Sequence, residues 1–109
     1  MATLVVDTGT SIYMDCMLIV DKYETDGSMF VKIWSREKGL IATITECLNQ
    51  PNLAEDEAYV DYDNYPWVIE FLESNEIAEV VGVKIKDNIH HYPLVKFYKD
   101  KIAKFEREM

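Results

Sequence analysis

The chain has 109 residues, 49% hydrophobic and 12% aromatic, with a formal net charge of −9. That size fits one domain, 1–109, with an ordinary core, and the apolar share excludes a disordered acidic tail. The charge disfavours direct contact with nucleic acid or anionic membrane, and no run approaches the ~20 apolar residues that cross a bilayer or forms a basic secretion leader, so a cytoplasmic location is expected.

The first motif along the chain is Val5-Val6-Asp7-Thr8-Gly9-Thr10-Ser11, which resembles the hydrophobic-hydrophobic-Asp-Thr-Gly-Ser/Thr signature of aspartic proteases. In that family two such aspartates share one proton across a dimer and so activate water. Val80-Val81-Gly82 imitates the second element of the retroviral type, but only six residues precede Asp7 and no glycine-rich flap follows beyond Asp26-Gly27. A dimeric aspartic protease is therefore the weakest of the functional alternatives, and the motif is expected to be a ragged N-terminal turn.

Residues 11–24 are rich in strand formers and stop at Thr25-Asp26-Gly27-Ser28, where Asp-Gly supplies the positive φ of a hairpin turn. The returning run alternates, with Met29, Val31 and Ile33 on one face and Phe30, Lys32 and Trp34 on the other. A turn at Arg36-Glu37-Lys38-Gly39 leads into Leu40–Thr45, completing a three-stranded antiparallel meander. Cys16 and Cys47 fall in separate strand-like segments and are expected as two buried thiols rather than a disulfide.

Asn49-Gln50-Pro51-Asn52 breaks the pattern, because proline disfavours helix before it and offers no amide to a ladder. Ala58–Tyr62 is a short strand, and Asp63 or Asn64 is expected to cap a helix with Pro66 in its first turn, running to about Asn75. That helix would bury Trp67, Val68, Phe71 and Leu72 and turn Glu70 and Glu73 to water. Val80–Lys86 then alternates, which places Val81, Val83 and Ile85 inward and Lys84 and Lys86 outward, and Asp87-Asn88 turns the chain into Ile89–Phe97. Tyr98, Ile102, Phe105 and Met109 recur at helical spacing in an amphipathic, lysine-bearing C-terminal helix. The expected class is α+β: antiparallel hairpins and a meander with one short central helix and a C-terminal amphipathic helix.

Between Gly39 and Val83 stand ten carboxylates, half of all the acids in the chain, and no lysine or arginine. Surface charge for solubility accounts for mixed signs, whereas a tract of one sign projects a field that suits docking to a basic groove. Tyr59, Tyr62, Tyr65 and Trp67 interleave with these acids, and rigid aromatics beside carboxylates favour arginine through cation–π contacts worth ~0.5–2 kcal/mol. Asp61-Tyr62-Asp63-Asn64 resembles the opening of an EF-hand loop, but Pro66 occupies the position of its glycine, and His90-His91 has no metal-ligand spacing around it, so no metal or cofactor is expected. No phosphate loop or nucleophile elbow is present either.

The order of short elements from about residue 13 to 97 resembles a family of small acidic bacterial proteins of unknown function that occur on phages, plasmids and other mobile elements. The residues that carry it are Tyr23-Glu24-Thr25-Asp26-Gly27, Ile41-Ala42-Thr43-Ile44-Thr45, Leu53-Ala54-Glu55-Asp56-Glu57, Val60-Asp61-Tyr62-Asp63, Ile77 to Gly82, and Tyr92-Pro93-Leu94-Val95. The chain departs from it with Asn64-Tyr65-Pro66-Trp67 at the helix start and by adding the basic helix 98–109. The resemblance implies a β-rich α+β fold and a mobile-element setting.

Charge and resemblance together give the functional expectation: a non-enzymatic acidic inhibitor, of anti-CRISPR or anti-restriction type, that mimics nucleic acid and occupies the basic groove of a host defence effector. Glu55, Asp56, Glu57, Asp61, Asp63, Glu70 and Glu73 are the expected contact set. The alternative is a homo-oligomeric accessory protein in which the basic C-terminal helix of one copy meets the acidic tract of another.

Overall fold

The alternating runs become strands, and they build two sheets that go beyond the expected three-stranded meander and second hairpin. The computed structural model describes residues 2–49 and 53–107; the proline break at 50–52 and the expected last helical contact, Met109, lie outside the described residues. The elements are β1 Leu4–Asp7, β2 Ile12–Lys22, β3 Met29–Ser35, β4 Gly39–Thr43, β5 Thr45–Glu46, β6 Glu57–Val60, α1 Val68–Ser74, β7 Ala78–Lys86, β8 His90–Phe97 and α2 Lys99–Phe105. They form two four-stranded antiparallel sheets, ordered β1-β2-β3-β4 and β5-β6-β8-β7, so the class is broadly α+β with little helix.

β1 corrects the expected N-terminal turn. Leu4 and Val6 are buried while Val5 and Asp7 are exposed, an alternation that lets four residues add to the edge of β2. Thr8-Gly9-Thr10-Ser11 closes this hairpin, with the Thr8 N–H donating to the Ser11 carbonyl at 2.9 Å. The expected β2–β3 hairpin forms, and Met29, Val31 and Ile33 share the buried face as the alternation suggests, joined by Ser35. Gly27 at φ +73° and Gly39 at φ +80° take the left-handed positions that the two turns around β3 require.

The run from Gly39 to Glu46 serves both sheets. A bulge opposite Ile33 and Trp34 turns Leu40 outward, where it is 56% exposed, and keeps Ala42 in the core. As the chain leaves β3, the Ile44 N–H donates to the Val31 carbonyl at 3.0 Å, and the buried Thr45 hydroxyl accepts the Val31 N–H at 3.0 Å. The Tyr23 hydroxyl donates to the Thr45 carbonyl at 3.0 Å, and burial pushes that phenol up in pKa. These bonds satisfy backbone groups that a regular ladder would have paired.

α1 begins later than its sequence signals suggest. Neither Asp63 nor Asn64 caps it: Trp67 is the N-cap residue without a side-chain cap bond, and Asp61 instead organises the preceding turn. The expected face is otherwise in place, with Val68, Phe71 and Leu72 buried, Trp67 half-buried against Phe71, and Glu70 and Glu73 exposed. α2 buries Ile102 and Phe105 and stops at Phe105, where Glu106 becomes extended and bridges Leu18 of β2. The Arg107 N–H donates to the Leu18 carbonyl at 2.7 Å, and its guanidinium lies 4.0 Å over the Trp34 ring. Cys16 and Cys47 are free thiols as expected; Cys16 is buried, but Cys47, just past β5, is only half-buried.

The largest departure is in β7. Val81, Val83 and Ile85 are 46%, 61% and 56% exposed rather than inward, because β7 is an edge strand whose far half runs past the core. Among the described residues, the buried cluster reaches Ala78 on β7 and Val95 on β8 and goes no further toward the hairpin tip. Asp87 and Asn88, at φ +56° and +59°, close the tip as expected.

Candidate partner-binding surface

Backbone register assembles the densest group of carboxylates. β5 sets Glu46 opposite Tyr59 of β6, and the Asp61 N–H donates to the Ile44 carbonyl at 2.8 Å, so Glu46, Tyr59 and Asp61 share one face of the second sheet by the two-residue period. On β8 the residues of that face are Tyr92 and His90, since Leu94 pairs with Tyr59. Asp63 closes the group, its Oδ2 lying 2.8 Å from His90 Nδ1.

Within this group the ionisation of Glu46 is disfavoured. Burial and then the Asp61 charge raise the Glu46 pKa, and the Lys86 ammonium only opposes them. The Tyr92 phenol is also raised, by desolvation and then by the charges of Glu46, Asp61, Asp63 and Asp87. Asp61 is fixed by its own turn, its Oδ1 accepting the Asn64 N–H at 3.4 Å and its Oδ2 accepting Asn64 Nδ2 at 2.9 Å. Tyr62, 40% exposed, lies in sequence between the two aspartates. The group thus sets anionic oxygens beside aromatic edges, an arrangement that attracts a guanidinium or ammonium, with Lys84 and Lys86 of β7 paired in register with Tyr92 and His90 on the same face.

The other expected contact residues lie elsewhere. Glu55, Asp56 and Glu57 stand at the opposite end of β6 from Asp61 and Asp63, a strand of four residues spanning ~13 Å. Glu55 is ion-paired with Lys99 of α2, which holds the Glu55 carboxyl below its ordinary range, and Lys22 adds to that effect. Asp56 is half-buried and its carbonyl accepts the Phe97 N–H at 2.7 Å, while Glu57 Oε1 accepts the Ala54 N–H at 3.0 Å. Glu70 lines a shallow depression with Asp7, Trp67 and Phe71, and Glu73 is exposed on α1. Glu76 lies 3.6 Å from Lys101. The C-terminal segment therefore places lysines on two carboxylates of the tract within a single chain.

Sequence reasoning missed Glu46, Tyr92 and His90 as members of the group. The signal was present in part, since Glu46 belongs to the basic-free tract, but Tyr92 and His90 join it only through the β6–β8 pairing of segments far apart in the chain. The Asp7 motif has a local role: Asp7 Oδ1 accepts the Gly9 N–H at 2.9 Å in the exposed β1–β2 turn. Among the described residues, no three His, Cys, Asp or Glu side chains converge as metal ligands do, and no helix is long and apolar enough to cross a membrane.

The chain belongs to the family of the domain of unknown function DUF4313, which it matches over residues 17–109. The match starts within β2 and so leaves out β1 and the Asp7 turn, and it includes α2. No curated protein and no solved structure matches the chain significantly.

Proposed function

We propose that this member of a family without an assigned role is a non-enzymatic binding domain that receives a cationic protein surface on the Glu46–Asp61–Asp63 face of its second sheet. The convergence of Glu46 and Asp61 on one face, where burial and then the Asp61 charge make the Glu46 carboxyl harder to ionise, carries this reading. Like-charge crowding on a half-exposed face costs stability in the free protein and is relieved when a partner's arginine or lysine arrives. Tyr92 and Tyr62 supply the aromatic surface that holds such a group in place.

In its narrower form the partner is a nucleic-acid-binding defence effector of a bacterial host, and the domain acts as an anti-CRISPR or anti-restriction inhibitor by occupying the channel that normally holds phosphates. The mobile-element resemblance and the net charge support that form. Its affinity should fall steeply with salt, as contacts to such a channel do.

The test is capture from a bacterial lysate on the immobilised full chain, eluted with a salt gradient and repeated with Glu46→Gln/Asp61→Asn/Asp63→Asn. A specific basic protein should elute below about 1 M salt, where the Debye length is about 3 Å, and should be lost from the triple variant. Retention of that protein by the triple variant would overturn the assignment of the surface. Inhibition of the captured effector that survives the combined neutralisation would overturn the mimicry.

A further inference from the structure

Apart from the acidic face, the depression between the β1–β2 turn and α1 brings aromatic rings and carboxylates together. It encloses about 310 Å³ and is lined by Val5, Asp7, Gly9, Trp67, Glu70 and Phe71 among others, with no lysine or arginine in its walls. Trp67 is half-buried, and its ring is held from two sides, with centroids 5.7 Å from Tyr65 and 6.1 Å from Phe71. The Asp7 carboxylate is oriented by its turn, because Oδ1 accepts the Gly9 N–H at 2.9 Å, and Glu70 stands exposed in the first turn of α1. Among the described residues neither carboxylate has an ion-pair partner.

We infer that this depression seats one arginine side chain of a protein partner, its guanidinium lying on the Trp67 indole and donating to the Asp7 and Glu70 carboxylates. Charge complementarity selects the occupant. An anion is repelled by the two carboxylates, and a purely apolar group leaves both without a counter-charge while it covers the indole. A guanidinium serves both sides of the site: its flat, weakly hydrated face stacks on an aromatic ring, and its five donors in a rigid fork match carboxylate oxygens. An ammonium is compact and strongly hydrated, so it gains less from the ring.

Size and depth narrow the occupant further. The volume is at the small end of ligand sites, enough for one side chain rather than a helix or a strand. Sites for free small molecules bury most of the ligand, and a shallow depression does not, so the side chain is one presented by a larger surface. The site uses the β1–β2 turn and α1, and none of Glu46, Asp61 and Asp63, so it stands or falls separately from the face proposed above.

N–H correlation NMR spectra of the full chain test this, with a capped tripeptide, arginine flanked by two glycines, titrated to about 50 mM, a range that saturates a millimolar site. The Trp67 indole N–H signal, told from that of Trp34 by the Trp34→Phe variant, should shift and saturate. The lysine tripeptide should bind at least about twofold more weakly, and the tripeptide with citrulline, the uncharged isostere of arginine, should leave the signal in place. Asp7→Asn, whose own Oδ1 still accepts the Gly9 N–H, and Glu70→Gln should each weaken binding about two- to fivefold, as a partly exposed ion pair predicts. Glu46→Gln/Asp61→Asn/Asp63→Asn should bind the arginine tripeptide like the wild type. A Trp67 signal that does not move, equal binding of the lysine or citrulline tripeptide, binding unchanged in both single variants, or loss of binding in the triple variant would overturn the proposal.

Discussion

The same tripeptide occurs twice in this chain with opposite fates. Val31-Lys32-Ile33 in β3 and Val83-Lys84-Ile85 in β7 are both extended and both antiparallel-paired. Val31 and Ile33 are completely buried, whereas Val83 and Ile85 stand more than half exposed. β3 lies between β2 and β4 beneath the second sheet, while β7 has β8 on one side only and runs out past the core. A period of two fixes which side chains share a face, but what lies over that face is decided by elements distant in sequence.

The comparison breaks or sharpens most strongly at the two isoleucines. Ile33→Ala removes buried methylenes from the core cluster and should cost about 2–5 kcal/mol. Ile85→Ala should stay within about 0.5 kcal/mol of the wild type. Urea denaturation followed by circular dichroism reads both. Similar losses at the two positions would mean that the β7 face is covered after all.

A smaller effect is expected where β3 hands its hydrogen bonds to the second sheet. Thr45→Val keeps the side-chain shape but leaves the buried Val31 N–H without an acceptor, and should cost about 1–3 kcal/mol. Thr43→Val, one residue pair away on the half-buried face of β4, should change stability by less than about 0.5 kcal/mol. Equal costs would show that the Thr45 hydroxyl is not what joins the sheets.

Much of the fold was legible because it is local. The Asp26-Gly27 and Asp87-Asn88 turns, the faces of β3 and the apolar arc of α1 all follow from residues within a few positions of one another. What was not legible is what non-local pairing decides. The burial of Leu4 and Val6 depends on β2 accepting a fourth strand, the start of α1 depends on Asp61 taking Asn64 into its own turn, and the exposure of β7 depends on where the core stops. The acidic tract was visible as a charge count, but its distribution was not: Glu46, Asp61 and Asp63 meet through β5, β6 and β8, while Glu55 and Glu76 are met by lysines of the C-terminal segment.

The smallest expected effect concerns the price of the acidic face, and its sign follows from linkage. The Glu46 carboxyl has a raised pKa in the folded chain, so the native state holds that proton more tightly than the unfolded state does. The stabilisation from this difference is complete below the unfolded value, near pH 4, and is lost as pH rises through the folded value. Glu46→Gln carries no ionisation and should therefore melt about 1–3 °C above the wild type at pH 7, with the gap closing toward pH 4. Asp61→Asn acts on the same repulsion, so the double variant should gain less than the sum of the two. At β3 the face is covered by the protein's own core, and substitution there only loses stability. On the acidic face a stabilising substitution should at the same time weaken capture of a basic partner, which is the trade expected where charge is kept for binding rather than for folding. A Glu46→Gln protein that melts lower at pH 7, or whose advantage grows as pH falls, would show that this carboxylate is satisfied within the free domain.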